Sequence, residues 1–234
     1  MDTQLTATQQ YYLQTMGLEI YNIRNDDKLV PGTDQVTDNP LNKETVEVPD
    51  HWLELRREVA ACTRCNLHRN RTQTVFGVGD INADWLIIGE APGAEEDRQG
   101  EPFVGRAGKL LNSMLQAIGL QRGQVFIANI LKCRPPNNRD PAPEEVVCCE
   151  SYLKKQIEWI QPKIILALGR VAAQNLLKVE TPIGKMRGQC YEYPDPKVPV
   201  VVTYHPAYLL RSPKEKRKSW DDLQLAMQVY RETS

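Results

Sequence analysis

Four cysteines stand where they could share one inorganic centre. Cys62-Thr63-Arg64-Cys65 sets two thiols at a spacing able to chelate a single centre, and Cys133 and Cys149 follow far downstream, 16 positions apart. Thiolates drawn from distant segments tie those segments together where packing is thin. Such soft ligands select zinc, copper(I) or an iron–sulfur cluster, and the spacing leaves zinc and iron–sulfur both open. His68 extends the pair to Cys-x-x-Cys-x-x-His, so a zinc set using it competes with an all-cysteine one. Buried thiols are the plain alternative for some of the six. Cys148 and Cys190 have no assigned part, and chemistry alone does not choose between Cys148 and Cys149.

A second set of residues could work on a bound molecule. The segment Gly89-Glu90-Ala91-Pro92-Gly93-Ala94-Glu95-Glu96-Asp97 reads as a tight loop whose backbone N–H groups could approach a ligand. It lacks the Gly-Lys-Ser/Thr of a nucleotide-phosphate loop. Its carboxylates could position water or oppose a developing positive charge; helix capping or solvent exposure is the plainer role for Glu95, Glu96 and Asp97. Phe103, between Pro102 and a glycine-containing stretch, offers a stacking surface for a base. Asn129 carries a donor and an acceptor on one amide, as reading the edge of a pyrimidine requires. His205, one of three histidines, opens a stiff His-Pro loop ahead of a basic stretch from Arg211 to Lys218. A neutral histidine there could donate to an oxygen gaining negative charge, and the basic stretch could meet phosphate.

These residues need elements to hold them. Short apolar runs at 84–89, 125–129, 164–168 and 200–203 have strand length, and helical patterns fill 105–119, 144–160, 170–178 and 219–231. Continuous rather than alternating apolar strands predict a sheet covered on both faces. The alternation of strand and helix predicts an α/β fold with a largely parallel sheet. In such sheets ligands bind outside the carboxyl ends of the strands, which is where Glu90, Asn129 and His205 fall.

Composition bounds the rest. The chain has 234 residues, 41% of them hydrophobic, and a net charge of −1 that hides an asymmetry. Residues 1–50 carry nine acidic and three basic side chains, whereas 51–234 carry 26 basic and 21 acidic. We therefore expect an acidic extension over 1–50, with a short helix at 7–21 and a polar linker at 22–50, ahead of one domain over 51–234. No apolar run approaches the ~20 residues of a membrane span. The first residues show neither a basic n-region nor an apolar h-region. A cytoplasmic protein is expected, in which six cysteines suit metal binding or buried thiols better than disulfides.

Taken together, GEAPGAEED, PFVGRAGKLL, ANILKCRPPNNRDPAP and HPAYLLR resemble the family 4 uracil-DNA glycosylases, over roughly residues 51–230. The resemblance implies a three-layer α/β/α sandwich with a short, mainly parallel four-stranded sheet. It implies a [4Fe–4S] cluster on Cys62, Cys65, Cys133 and Cys149, which disfavours His68 and Cys148 as ligands. By position, Phe103 would stack on uracil, Asn129 would bond its edge, and Ala91 would line the pocket. His205 would stabilise the departing uracil anion. Glu90 would lie beside the scissile sugar and is the first choice for the carboxylate that handles water, with Glu96 the second.

The activity implied is hydrolysis of the N-glycosidic bond of deoxyuridine in DNA, releasing uracil and leaving an abasic site. The base must be flipped out or already unpaired, so the partner is uracil-containing DNA, single- or double-stranded, met by a monomer that associates with the nucleoid. The cluster would be structural. A superfamily branch that captures uracil covalently uses a His in the loop after the second strand, and here that loop, Cys133 to Pro143, has none. A zinc-stabilised nucleic-acid module without catalysis is the third reading.

Overall fold

The computed structural model describes residues 48–233. The helix expected at 7–21 and nearly all of the polar linker lie outside these residues. The described chain begins with α1 (Asp50–Ala60) and continues through β1 (Val78–Gly79), β2 (Trp85–Gly89), α2 (Ala94–Gln99), α3 (Arg106–Ala117) and β3 (Phe126–Asn129). Then come α4 (Pro143–Ile160), β4 (Ile164–Leu168), α5 (Arg170–Leu177), α6 (Ile183–Met186), β5 (Cys190–Pro194), β6 (Lys197–Thr203), α7 (Pro206–Arg211) and α8 (Lys216–Thr233).

The strands form one sheet in the order β1-β3-β2-β4-β6-β5. The four strands read from the sequence, β2, β3, β4 and β6, are its parallel centre. The expected count of four is corrected to six, because β1 and β5 add antiparallel edges. Both escape a search for apolar runs for physical reasons. β1 is two residues long, and β5 alternates between exposed and half-buried positions because only the face carrying Tyr191 and Tyr193 packs on the core.

Successive residues of the central strands point to opposite faces, and the core divides accordingly. Leu86, Ile88, Phe126, Ala128, Ile165, Ala167, Val200 and Val202 pack with α1, α4 and α5. Trp85, Ile87, Ile127, Ile164, Leu166, Leu168 and Val201 pack with α3, α7 and α8. That is the three-layer α/β/α arrangement. No helix among the described residues is long and apolar enough to cross a membrane.

α1, not foreseen as a helix, is anchored by Trp52. Its ring meets Phe76 and Phe126 edge-on, with centroids 5.4 and 5.3 Å apart. Trp52→Ala removes this contact from a site only 6% exposed. It should cost about 3–5 kcal/mol in urea unfolding; a loss under 1 kcal/mol would mean that α1 is not part of the folded core.

Candidate active site

At the carboxyl end of the sheet, Glu90, Ala91, Glu96, Phe103, Asn129 and His205 line one cavity of about 420 Å³. The fold thus gathers all six residues expected at the substrate. Gly89 ends β2 directly opposite Asn129 at the end of β3. A Cβ on Gly89 would lie 2.4 Å from Asn129 Oδ1 and 2.6 Å from Phe103 Cζ. The absence of a side chain is what lets amide and ring meet over the strand end.

Phe103 sits on a strained backbone, with φ at 53°; a bulky side chain adopts this only when its surroundings enforce it. Arg122 Nη1 donates to the Phe103 carbonyl at 3.3 Å, and Arg122 Nη2 to the Pro102 carbonyl at 2.5 Å. α3 presses from the other side: a Cβ on Gly108 would fall 1.8 Å from the Phe103 oxygen. The ring lies 5.5 Å from that of His205, tilted by 32°.

Asn129 is buried, and its Oδ1 has no hydrogen-bond partner among the described residues. A buried acceptor left unmatched costs free energy, so it suits a donor that arrives with a ligand.

His205 caps α7. The Ala207 N–H donates to its Nδ1 at 3.1 Å, so the neutral ring carries its proton on Nε2. Burial, reinforced by Arg211, pulls its pKa down to about 4. Arg211 lines the same cavity, so this end of the basic stretch reaches the site.

The carboxylates differ sharply. The Glu90 carbonyl accepts from the Leu131 N–H at 3.1 Å, but its side-chain carboxylate makes no hydrogen bond with the described residues. Burial pushes its pKa up to about 7, with Asp140 raising it further and Arg170 opposing. Glu96 is fully engaged: Oε1 accepts from the Val104 and Gly105 N–H groups at 3.0 and 3.1 Å, and Oε2 from Gly93 at 3.1 Å. It fastens the loop that carries Phe103 and leaves Glu90 as the free carboxylate. Asp97 accepts from the Thr72 N–H, and Glu95 pairs with Arg98 on the surface.

Asp140 and Arg139 also line the cavity and were not singled out by sequence. Arg139 Nη1 and Nη2 donate to both oxygens of Glu145 at 2.9 and 2.5 Å, pinning their loop to the start of α4. Asp140 pairs with Arg170 at 2.5 Å. Only the run of charges in Asn-Asn-Arg-Asp hinted at this.

The cysteines gather elsewhere. Cys62, Cys65, Cys133 and Cys149 line one apolar cavity together with Cys148, His68, Arg71, Lys132 and Tyr152. Arg71 Nη1 donates to Cys133 Sγ and the Lys132 N–H to Cys149 Sγ, each at 3.2 Å. His68 donates from Nδ1 to the Cys65 carbonyl at 2.7 Å. Burial pushes the thiols of Cys65 and Cys133 up, and Cys149 up to about 11. Among the described residues no three His, Cys, Asp or Glu are arranged to hold one metal ion. Cys190 is exposed on β5, away from this group.

The folded pKa of His205 lies below the ordinary value of ~6.5, so its neutral burial contributes stability above that pH and loses it as pH falls towards 4. Imidazole NMR should find His205 as the Nε2–H tautomer and neutral down to about pH 4. Titration near 6.5 would contradict the enclosure described here.

Comparison with known proteins agrees with this geometry. The Uracil DNA glycosylase superfamily matches residues 76–224. The type-4 uracil-DNA glycosylase of Archaeoglobus fulgidus is 49% identical over 175 residues, 72% of this chain and 88% of that protein. Those of Sulfurisphaera tokodaii and Thermotoga maritima are 44% and 46% identical, over 72% and 66% of this chain and 80% of each relative. A type-5 uracil-DNA glycosylase from Pyrobaculum aerophilum is 34% identical over 43% of this chain and 51% of its own length. On these matches the chain belongs to the uracil-DNA glycosylase superfamily, alongside its type-4 members.

Proposed function

We propose that the chain excises uracil from DNA by hydrolysing its N-glycosidic bond, and that the cavity holding Asn129 is where the base is read. The observation that carries this reading is the buried, unpartnered Asn129 Oδ1 beside the Phe103 ring. Uracil N3–H is a donor that would satisfy it, while the amide N–H₂ meets the neighbouring carbonyl O4. Cytosine has no proton on N3 and carries an amine at C4, so it reverses both contacts. A site that leaves buried polar groups unpaired rejects the wrong ligand strongly.

The base enters the cavity flipped from the stack and lies against Phe103. As the bond to deoxyribose breaks, negative charge builds on uracil O2 and positive charge on the sugar. The Nε2–H of His205 is the donor for O2, since its Nδ1 already accepts from the Ala207 N–H. Glu90 is the carboxylate for water and for the sugar's charge; Glu96 acts on the loop instead. On this reading residues 51–234 form the catalytic domain, working as a monomer on single- or double-stranded DNA at the nucleoid. The acidic 1–50 is an extension that keeps off the DNA.

The cysteine cavity fits a [4Fe–4S] cluster on Cys62, Cys65, Cys133 and Cys149. Four cysteines line one apolar space, and two of the sulfurs already accept N–H bonds of the kind that tune cluster ligands. When bound, the cluster supplies a cross-link among distant segments. The residues beneath the pocket then inherit its rigidity through Cys133, four positions beyond Asn129.

Oligonucleotides containing uracil, with undamaged and hypoxanthine-containing controls, test the activity. His205→Ala should lower turnover by about 10²–10³-fold with DNA affinity nearly kept; near-normal turnover would remove the role given to this ring. Because Glu90 acts as the anion and its pKa is about 7, kcat/KM should rise with pH through 7 and level above it. Below 7 it should fall about tenfold per unit. Glu90→Gln should be slow and lack this limb; a mutant that kept it would assign the titration elsewhere.

A further inference from the structure

Between the two cavities lies a lysine in an unusual position. Lys132 is 1% exposed, the largest side chain among those fully buried in the described residues. Its Nζ donates to the Asn129 carbonyl at 3.1 Å and to Gln156 Oε1 at 2.6 Å. Both acceptors are neutral, and no carboxylate pairs with it in the described residues. Gln156 is itself buried and spent, donating from Nε2 to the Phe76 carbonyl at 3.0 Å. A buried cation with only neutral partners is costly unless an anion stands near.

The surroundings indicate which anion. Lys132 precedes Cys133 in the chain, its own N–H donates to Cys149 Sγ, it is one of the residues lining the cysteine cavity, and its ammonium interacts electrostatically with Cys149. Cys149 and Gln156 lie seven residues apart on α4, two turns along one face. Four thiolates around an iron–sulfur core leave the whole centre anionic, and the charge near such a centre sets its potential. We propose that Lys132 is a positioning residue joining the two sites: its ammonium is the buried counter-charge of the thiolate centre, and its bond to the Asn129 carbonyl holds the base-reading amide in place. The proposal rests on the cluster reading given above.

The test uses the full-length protein as purified. Visible absorption, midpoint potential by spectroelectrochemistry, and the rate of bleaching by an iron chelator are compared for wild type, Lys132→Met and Lys132→Gln. Removing a nearby positive charge makes reduction harder, so both variants should have a more negative potential. Both should also bleach about tenfold faster, the usual cost of losing a support behind metal ligands. Inhibition by free uracil reads the second contact. It should weaken about tenfold in Lys132→Met and less in Lys132→Gln, which keeps a donor for the Asn129 carbonyl. Should Lys132→Met fail to fold, Lys132→Gln reads the same potential with a polar group in the same space. An unmoved potential and unchanged bleaching in a brown variant would overturn the counter-charge role. Undiminished uracil inhibition in Lys132→Met would overturn the link to Asn129. A colourless wild-type protein would instead overturn the cluster reading, and this proposal with it.

Discussion

The site depends on a close approach at the end of β2. Register places Gly89 against Asn129, and the missing side chain at 89 is filled by the Asn129 amide and the Phe103 ring. Everything else about the pocket serves that approach. Phe103 cannot reach the strand end on a relaxed backbone, so Arg122 holds its carbonyl and Glu96 holds the next two N–H groups. α3 can come close enough to support the turn because Gly108 presents only backbone there. A methyl group at Gly89 would displace the Asn129 amide and the Phe103 ring, and one at Gly108 the Phe103 backbone.

The two layers of helices divide the remaining work. The face packed by α1 and α4 carries the cysteines, and the loop after β3 brings Lys132 and Cys133 back beneath Asn129. The opposite face, packed by α3, α7 and α8, supplies the rings: Phe103 and the supports of His205. The crevice at the strand ends is where the two sides meet, so chemistry and reinforcement approach the same amide from opposite directions.

Much of this was legible in the sequence, and the limits have physical causes. The central strands announced themselves because both faces are covered, which makes runs such as Ile164–Leu168 wholly apolar. The edges did not, since β1 is only two residues long and β5 packs one face on the core and leaves the other exposed. Glu90, Asn129 and His205 fall at or just past strand ends, a position that topology makes readable, whereas Glu96 and Phe103 lie beyond the loop after β2. What separates the two glutamates structurally was not readable: Glu90 and Glu96 look alike in Gly-Glu-Ala-Pro-Gly-Ala-Glu-Glu, and the three amides on Glu96 tell them apart. Lys132 passed unnoticed because a lysine after Ile-Leu reads as the end of an apolar run. Its burial depends on Gln156, 24 positions away.

Glu96 has one more consequence. It holds its loop without a cation, by accepting from backbone groups that carry no formal charge. Ion pairs and contacts with phosphate weaken as dissolved salt screens them, whereas bonds from a carboxylate to enclosed amides are far less exposed to that screening. The grip on a polyanion and the shape of the pocket therefore answer to different variables. A change in ionic strength can loosen contacts with phosphate while the cavity keeps its form.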